Sequence, residues 1–251
     1  MSLCTIIYDF VMRTIRRFYI RMNIETVTCG SEYGGFNIYD KRIKMKENPI
    51  VYSFGVGEDI SFDLELIRKY NCSVYAFDPT PKAIKWIQEQ NQSSKFCFFP
   101  YGISYKDGIE KFYLPINPNY VSGSIISGEG LKSDAINVEM KRLSTILLET
   151  GGGGGHIDIL KLDIEGSEFT VIPDILESHI DIDQICVEIH HRMLINKNSN
   201  KVTKIIGNSL LNKHLIKFIK LMKSYDYTCI AISDTYEEFT FLKLNNIQKG
   251  K

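Results

Sequence analysis

Short apolar runs alternate with amphipathic segments along most of the chain. Five runs rich in β-branched and aromatic residues predict buried strands, at residues 50–54, 72–77, 95–99, 157–164 and 184–189. Apolar residues at helical spacing lie between and after them, at residues 62–70, 82–90, 144–149, 169–176 and 210–225. Two last alternating runs, residues 227–233 and 238–244, are joined by a short turn and predict an antiparallel hairpin. Strands that alternate with helices indicate an α/β domain with a doubly wound, mostly parallel sheet.

Other segments are polar or rich in glycine. Residues 108–142 alternate like strands at both ends around a Gly- and Ser-rich middle, which predicts a β-containing excursion. Within it, Ser122–Lys132 is either a substrate cover or a plain solvent loop. The glycine run Gly151–Gly155 predicts a flexible joint, and Lys197–Lys204 predicts a polar, basic loop.

The N-terminal segment differs from the rest. Residues 3–22 place arginines on one helical face and apolar residues on the other. This pattern predicts an amphipathic helix that packs on its own domain or makes weak contact with a membrane surface. A turn-rich, aromatic stretch follows and predicts a short hairpin, which we expect to cover one end of a ligand cleft. We therefore divide the chain into an extension, residues 1–47, and a core domain, residues 48–251.

Two glycines end the first predicted strand. Gly55 and Gly57 lie where the chain must turn sharply under a ligand. Asp78 ends the second predicted strand, 21 positions after Gly57. This is close to the spacing at which the acid of a nucleotide-binding βαβ unit meets a ribose. The glycines and Asp78 together predict a nucleoside site.

Charge beside these glycines indicates which nucleoside binds. Glu58 and Asp59 follow Gly57 directly, and two carboxylates would repel the pyrophosphate of a dinucleotide. They are compatible with a cofactor that carries an ammonium and a sulfonium, which is S-adenosylmethionine. The alternative is that both are first-turn acids that complement a helix dipole.

Ionisable residues follow the last two parallel strands. Lys161 and Asp163 share a face, and Glu188 and His190 share a face at the end of the next strand. If the group that accepts a methyl from this cofactor is an alcohol, it must lose its proton, and for that case we take Asp163 as the leading base and His190 as the other candidate. Lys161 would hold Asp163 ionised or place the substrate hydroxyl. Burial of a carboxylate in an apolar strand costs free energy, so we expect Glu188 to have an interaction partner or a functional role.

The same acids raise the question of a metal. Asp163, Glu188 and His190 could hold a divalent cation, but carboxylates that merely cluster are commoner than metal cages, so we favour a site without metal. Glu165 and Glu168 lie on the turn after Asp163. Glu165 is a candidate for substrate contact, and for both acids the alternative is a first-turn helix position.

The composition of the chain indicates which classes of binding partner are excluded. The chain has 251 residues, and 30 basic and 30 acidic side chains give a formal net charge of zero, which argues against a general nucleic-acid binder. The six cysteines lack paired spacing and predict reduced thiols without zinc. Neither a transmembrane run nor a secretory signal is evident, so we expect a cytoplasmic protein; the oligomeric state stays open.

Several segments together resemble the FkbM-type family of S-adenosylmethionine-dependent methyltransferases, including its animal methyltransferase-like relatives. They occur in order between residues 50 and 190: YSFGVGEDISFD, VYAFDPTP, FPYGIS, DILKLDIEGSEFTVI and CVEIH. The resemblance implies a class I methyltransferase, with a Rossmann-like doubly wound sheet of five parallel strands plus the C-terminal hairpin. It also implies methyl transfer to a hydroxyl, often on a sugar or a polyketide-like small molecule.

The resemblance extends the set of site residues. On the matching segments it adds cofactor-binding candidates, Ser53, Pro79, Tyr101 and Gly102. Ser53 stands where the family usually has an acid, so Glu58 or Asp59 is expected to meet the amino group of the cofactor instead. In the proposed cover, Ser124 is a candidate substrate contact.

Two other functions compete with a small-molecule or carbohydrate O-methyltransferase. An RNA ribose methyltransferase would use a similar fold with a Lys-Asp-Lys-Glu set, but Lys161 and Asp163 lie on one strand and the neutral charge supplies no phosphate track. A non-catalytic scaffold that binds the cofactor is the second alternative. The ionisable set of Asp163, Glu188 and His190 argues against it.

Overall fold

The structure of the chain is a computed structural model. It describes residues 24–90, 93–117, 123–126, 130–151, 155–190 and 201–244, together with residue 13, and of residues 201–212 only the backbone. The helix predicted over residues 3–22 therefore lies outside the described residues, apart from helical residue 13.

The secondary structure alternates as the sequence predicts. The strands are β1 (Val27–Cys29), β2 (Phe36–Ile38), β3 (Ile50–Phe54), β4 (Ser73–Phe77), β5 (Phe96–Phe99), β6 (Gly102–Ile103), β7 (Gly108–Pro115), β8 (Leu131–Lys141), β9 (His156–Leu162), β10 (Asp181–Glu188), β11 (Tyr227–Ile232) and β12 (Glu238–Lys243). The helices are α1 (Asp40–Ile43), α2 (Ser61–Tyr70), α3 (Pro81–Gln88), α4 (Leu143–Thr150), α5 (Glu168–Glu177) and α6 (Lys201–Ser224).

A seven-stranded sheet forms the centre of the fold, in the order β11-β12-β10-β9-β3-β4-β5. Strands β5, β4, β3, β9 and β10 pair in parallel, whereas β12 is antiparallel to both β10 and β11. The five parallel strands and the terminal hairpin are confirmed. All five parallel strands therefore end at one edge of the sheet, which is where ligands bind in open α/β folds.

Apolar side chains cover both faces of this sheet. On one face an aromatic ladder runs across β3, β4 and β5: the rings of Phe54 and Phe77 lie 4.5 Å apart between centroids, and those of Tyr52 and Tyr75 lie 4.9 Å apart. On the other face, Val51 packs with residues of β1, β2 and α2. Alternate residues of one strand thus enter two core clusters, as a strand buried on both faces requires.

Two smaller sheets flank the core, as predicted. Strands β6, β8 and β7 form the excursion between β5 and α4. Strands β1 and β2 form the predicted hairpin, which packs on α2 through the rings of Phe36 and Phe62, 5.7 Å apart. Thr240 of β12 donates a hydrogen bond from Oγ1 to the carbonyl of Asn37 at 2.5 Å. The hairpin is thus anchored to both α2 and the sheet.

The last helix begins earlier than the sequence predicts. Helix α6 starts at Lys201, so the predicted loop Lys197–Lys204 is wrong for its last four residues, and the predicted start near Leu210 is too late. Polar residues do not stop a helix once it is nucleated, because each added residue gains one backbone hydrogen bond. Among the described residues, no helix is long and apolar enough to cross a membrane.

A charged cluster ties residues before β3 to the opposite edge of the sheet, where β9 and β10 begin. Lys46 bridges Asp158 and Asp183, and its Nζ lies 2.6 Å from Nε2 of His156. Arg42 contacts Asp183 at 2.8 Å. Hydrogen bonds with Asp158 and Asp183 raise the pKa of His156 to about 10. Lysine, arginine and imidazolium together compensate the buried carboxylates.

We predict that this cluster stabilises the fold in a pH-dependent way. A histidine whose pKa rises on folding contributes stability that is complete below about pH 6.5 and is lost as the pH approaches 10. The substitution His156→Gln should therefore lower the midpoint of thermal unfolding more at pH 6 than at pH 10. His179→Gln, a histidine outside the cluster, serves as the control. An equal loss at both pH values would contradict the predicted role of the imidazolium.

Candidate active site

A cleft of about 430 Å³ opens at the carboxyl ends of the parallel strands. Twelve of the residues singled out from the sequence line it: Gly55, Gly57, Glu58, Asp59, Asp78, Pro79, Gly102, Lys161, Asp163, Glu165, Glu188 and His190. Ser53, Tyr101 and Ser124 do not line it. The structure thus brings together residues that are up to 135 positions apart, from Gly55 to His190.

The glycine turn after β3 approaches the end of β9 very closely. Gly55 has φ +72°, and a Cβ atom placed there would lie 1.6 Å from the carbonyl oxygen of Asp163. The amide of Asp163 in turn donates to the carbonyl of Phe54 at 3.1 Å. Position 55 therefore requires glycine for its conformation and for the contact between two backbones.

Asp78 holds the glycine turn from the neighbouring strand. One carboxylate oxygen accepts a hydrogen bond from the amide of Gly57 at 2.9 Å, and the other accepts from the amide and hydroxyl of Thr80 at 2.8 and 2.6 Å. Burial raises the pKa of Asp78, although these hydrogen bonds oppose the rise. Asp78 fixes two loops and also faces the cleft. Thr80 was missed, although an Asp followed two residues later by Thr is typical of a local side-chain turn.

Glu58 and Asp59 have different surroundings. Glu58 pairs with Lys82 at 2.9 Å. Asp59 accepts hydrogen bonds from the hydroxyl of Ser31 at 2.5 Å and the amide of Ser61 at 2.8 Å, so it joins the β1–β2 hairpin to the first turn of α2. Burial raises the pKa of Asp59, but the hydrogen bonds from Ser31 and Ser61 outweigh it and the net shift is downward. The first-turn interpretation therefore describes Asp59 well, and both acids also line the cleft.

Lys161 lies beneath the glycine turn rather than at the mouth of the cleft. It is 3% exposed, and its Nζ donates to the carbonyl of Gly55 at 3.2 Å. Ser53 is its register partner on β3 and is fully buried. Burial raises the pKa of nearby Asp63 to about 6, and the charge of Lys161 opposes that rise. Sequence reasoning missed Asp63, because an acid in the first turn of an amphipathic helix is usually assigned to the solvent face.

Tyr101 and Ser124, two other predicted site residues, make contacts within the protein. Tyr101 packs in the aromatic ladder against Phe77 and donates to Glu149 at 3.3 Å. Ser124 lies in the excursion loop and donates to the carbonyl of Glu165 at 2.7 Å. Its neighbours Gly123 and Ile125 line the cleft, so the described part of the predicted cover does border the site.

His190 lies at the centre of a carboxylate cluster. Its Nε2 is 3.2 Å from Glu165, 3.4 Å from Glu188 and 3.9 Å from Asp163. Its Nδ1 is 2.9 Å from Oε1 of Glu168, which is fully buried. The sequence predicted that β9 and β10 would bring Asp163 and His190 to one place. It gave no sign that Glu168 would turn inward to the imidazole.

Mutual repulsion and burial shift the acidities of this cluster. Burial alone would lower the pKa of His190, but the hydrogen bond and charge of Glu168, together with Glu165 and Asp163, raise it to about 10. Burial and the charge of Asp163 raise the pKa of Glu188 to about 8. Both shifts favour the protonated forms of His190 and Glu188.

Two further segments complete the cleft. The turn of the β1–β2 hairpin, which the sequence predicted as a cover at one end of the cleft, contributes Glu32, Tyr33 and Gly34. The turn before β12 contributes Thr235 and Glu237, and β12 contributes its first residue, Glu238; the sequence did not predict this second contribution. Burial and the charges of Asp163 and Glu165 raise the pKa of the Tyr33 phenol. The sequence predicted the place of the hairpin, but not that Tyr33 in particular would border the acids.

The sequence profile described as "Methyltransferase FkbM domain" matches residues 48–229, which is more than half of the chain. The chain belongs to the FkbM methyltransferase family. Its sheet has the architecture of class I methyltransferases, as the sequence predicted. This FkbM protein is therefore an S-adenosylmethionine-dependent methyltransferase by family and fold.

Other comparisons of the FkbM protein are less specific. Curated proteins yield no sequence match. Among solved structures, it is similar to the N-terminal domain of human METTL16 in complex with SAH, at 8% identity and TM-score 0.41, with coverage of 95% of this chain and 81% of that one. It is similar to human N-acetylserotonin methyltransferase in complex with SAM, at 14% identity and TM-score 0.37, with coverage of 78% of this chain and 47% of that one. M. capricolum TrmK with S-adenosyl-homocysteine gives 11% identity and TM-score 0.36, with coverage of 81% and 68%.

The residues of the FkbM protein fit the cofactor that its family implies. Gly55 leaves the turn without a Cβ atom, and the main chain there forms a wall of the cleft beside Gly57 and Asp78. Asp78 is at the position expected for a ribose contact, and Glu58 and Asp59 offer carboxylates for an ammonium. These residues would hold S-adenosylmethionine in the half of the cleft bordered by β3 and β4.

We predict that Gly55→Ala disrupts cofactor binding. The added methyl group would collide with the backbone of Asp163, so either β3 and β9 move apart or the turn changes shape. Binding of S-adenosylhomocysteine, measured by isothermal titration calorimetry, should weaken at least tenfold, and the thermal unfolding midpoint should fall.

Gly151→Ala is the matched control. Gly151 also has positive φ, +60°, but a Cβ atom there would meet nothing within 4 Å. It should lose only about 1 kcal/mol of stability from the left-handed conformation and retain affinity for the ligand. Equal affinities of the two variants for S-adenosylhomocysteine would refute the assigned position of the cofactor.

Proposed function

We propose that the protein transfers a methyl group from S-adenosylmethionine to a hydroxyl group of a sugar or other small molecule. One observation carries the proposal: the backbone of Asp163 contacts Gly55, and its side chain lies in the same cleft as Glu188 and His190. The turn expected to hold the cofactor and the acid expected to accept a proton are thus adjacent. The cofactor, when bound, supplies a methyl group on a positively charged sulfur.

The chain must supply the proton acceptor for a hydroxyl. Burial and neighbouring charges raise the pKa of Glu188 to about 8, and neighbouring carboxylates raise the pKa of His190 to about 10, so both favour their protonated forms. Asp163 remains as the favoured base, and 26% of its side chain is exposed. His190, whose Nδ1 lies 2.9 Å from Glu168, presents Nε2 to the same part of the cleft as Asp163 and would position the acceptor there. These roles follow general acid–base logic, in which geometry and acidity together select the base.

The charge of the cleft supports an acceptor without phosphate groups. Nine acids line it: Glu32, Glu58, Asp59, Asp78, Asp163, Glu165, Glu188, Glu237 and Glu238. Its described lining has one lysine, Lys161, and that side chain is buried against Gly55. A nucleic-acid backbone would be repelled here, whereas neutral hydroxyl compounds can bind through hydrogen bonds to carboxylates. This favours a carbohydrate or a similar small molecule over RNA.

We predict that Asp163→Asn separates binding from turnover. The amide keeps the shape of the side chain but cannot accept the hydroxyl proton, so turnover should fall by 10² to 10⁴. Affinity for S-adenosylhomocysteine should change less than threefold, since the turn contacts the backbone of Asp163 and not its carboxylate. Radiolabelled methyl transfer and calorimetry measure the two quantities.

Asp134→Asn provides the control, because Asp134 is exposed on β8 away from the cleft. It should leave both turnover and ligand affinity unchanged. Full activity of Asp163→Asn would remove Asp163 from the role of base.

The acceptor class is tested directly with labelled S-adenosylmethionine. Pools of oligosaccharides, hydroxylated small molecules and RNA are incubated with the full chain, and the labelled product is digested and analysed for O-methyl groups. We expect label in a hydroxyl compound that lacks phosphate. Label confined to RNA, or binding of the cofactor without label in any pool, would overturn the proposal.

A further inference from the structure

We propose that Asp163, Glu165 and His190, with Glu188 beside them, form a binding site for one divalent cation of the Mg²⁺ or Mn²⁺ class. The sequence alone favoured a site without metal. The side-chain geometry leads to the opposite conclusion. A catalytic role for the cation, which would hold the acceptor oxygen, rests on the proposed function. Binding of the cation to these side chains is independent of that function.

The spacing of the side chains suits a single ion. One ligand atom from each of Asp163, Glu165 and His190 lies within 4.8 Å of the other two. A Mg²⁺ ion about 2.1 Å from every ligand spaces those ligands by up to roughly 4.2 Å. Nε2 of His190 lies within that spacing of both carboxylates, at 3.2 Å from Glu165 and 3.9 Å from Asp163. Oε1 of Glu188 is 3.4 Å from Nε2 of His190 and would add a further oxygen. All four side chains line the cleft, so an ion there would face a bound acceptor.

Glu168 gives a second observation, on the buried side of the imidazole. It is fully buried and approaches Nδ1 of His190 at 2.9 Å with Oε1, which directs Nε2 toward the three carboxylates. Its other oxygen, Oε2, has no hydrogen-bond partner among the described residues. A carboxylate behind a histidine is the usual outer contact of a metal-binding imidazole. The amide of Gly166 also donates to Oε1 at 3.1 Å, so this oxygen, and with it the imidazole, is held in place from two directions.

A second cluster of one histidine and two aspartates, at the other end of β9 and β10, differs from this one in its surrounding charges. His156, Asp158 and Asp183 have equally suitable spacing, but there Lys46 lies 2.6 Å from His156 and 3.1 Å from Asp183, and Arg42 contacts Asp183. That cluster already contains its cations. Within the described ranges, the ion pairs of Asp163, Glu168 and Glu188 all involve His190. A single imidazole does not balance them, and a divalent cation would.

The ligand set indicates the class of ion. Carboxylate oxygens in the majority with one imidazole suit hard divalent ions such as Mg²⁺ and Mn²⁺ better than ions that prefer thiolates. Mn²⁺ is the practical probe, because its paramagnetism reports binding directly. Its free concentration is measured by electron paramagnetic resonance.

The test uses the full chain, stripped with EDTA and titrated with Mn²⁺ alone. We expect one Mn²⁺ per chain. The substitutions Glu165→Gln and His190→Gln should each weaken binding at least tenfold, and Glu168→Gln should weaken it by 10- to 100-fold through the imidazole. His156→Gln is the matched control and should retain the affinity of the unsubstituted chain. Thermal unfolding of every variant verifies that it is folded, and Glu165→Gln, a substitution of similar shape, remains informative if His190→Gln does not fold.

Two outcomes would overturn the site: absence of stoichiometric Mn²⁺ binding, or binding that survives both Glu165→Gln and His190→Gln. The methyl-transfer assay, run with Mn²⁺ and with EDTA, keeps this inference separate from the proposed function. Binding of Mn²⁺ without transfer to any acceptor would leave the site intact and refute the function. Full transfer in EDTA together with absence of Mn²⁺ binding would refute the site and leave the function intact.

Discussion

Contact between two backbones at the edge of the central sheet determines the geometry of the site. The carbonyl of Asp163 occupies the space that a side chain at position 55 would need. Because β3 and β9 are neighbours in parallel register, this contact forms where both strands end. The turn that follows β3 and the acid that follows β9 are therefore held together by main-chain packing, and side chains in the cleft need only supply chemistry.

Compensation of charge differs between the two ends of the same strands. Where β9 and β10 begin, Lys46, Arg42 and His156 neutralise Asp158 and Asp183, and the residues form a closed structural cluster. Where they end, carboxylates surround one histidine, and their acidities are shifted by repulsion and burial. Unbalanced charge is costly to hold in a fold and is typical of functional sites. The asymmetry distinguishes the compensated cluster from the candidate site at the other end of the strands.

Sequence reasoning succeeded where one physical rule determines position. Apolar runs located the parallel strands, and since parallel strands end at one edge, Asp78, Asp163 and His190 could be placed together in advance. It failed where neighbours come from distant segments. Glu238, the first residue of β12, lies far from the motifs. Glu168 occupies the first-turn position of α5 that the sequence offered for it, but no pattern reveals that its carboxylate faces the imidazole. Lys161 has the predicted strand position, but its partner is the carbonyl of Gly55, which no pattern reveals.

The hairpin that precedes the matched family domain forms part of the cleft wall. Its turn, including Tyr33, borders the acids, and Ser31 and Gly30 fasten it to Asp59 and Glu65. Residues outside the segment that matches the family model thus form part of the cleft. A change of sequence in this short hairpin would reshape one wall of the cleft while β3, β4, β9 and β10 keep their positions.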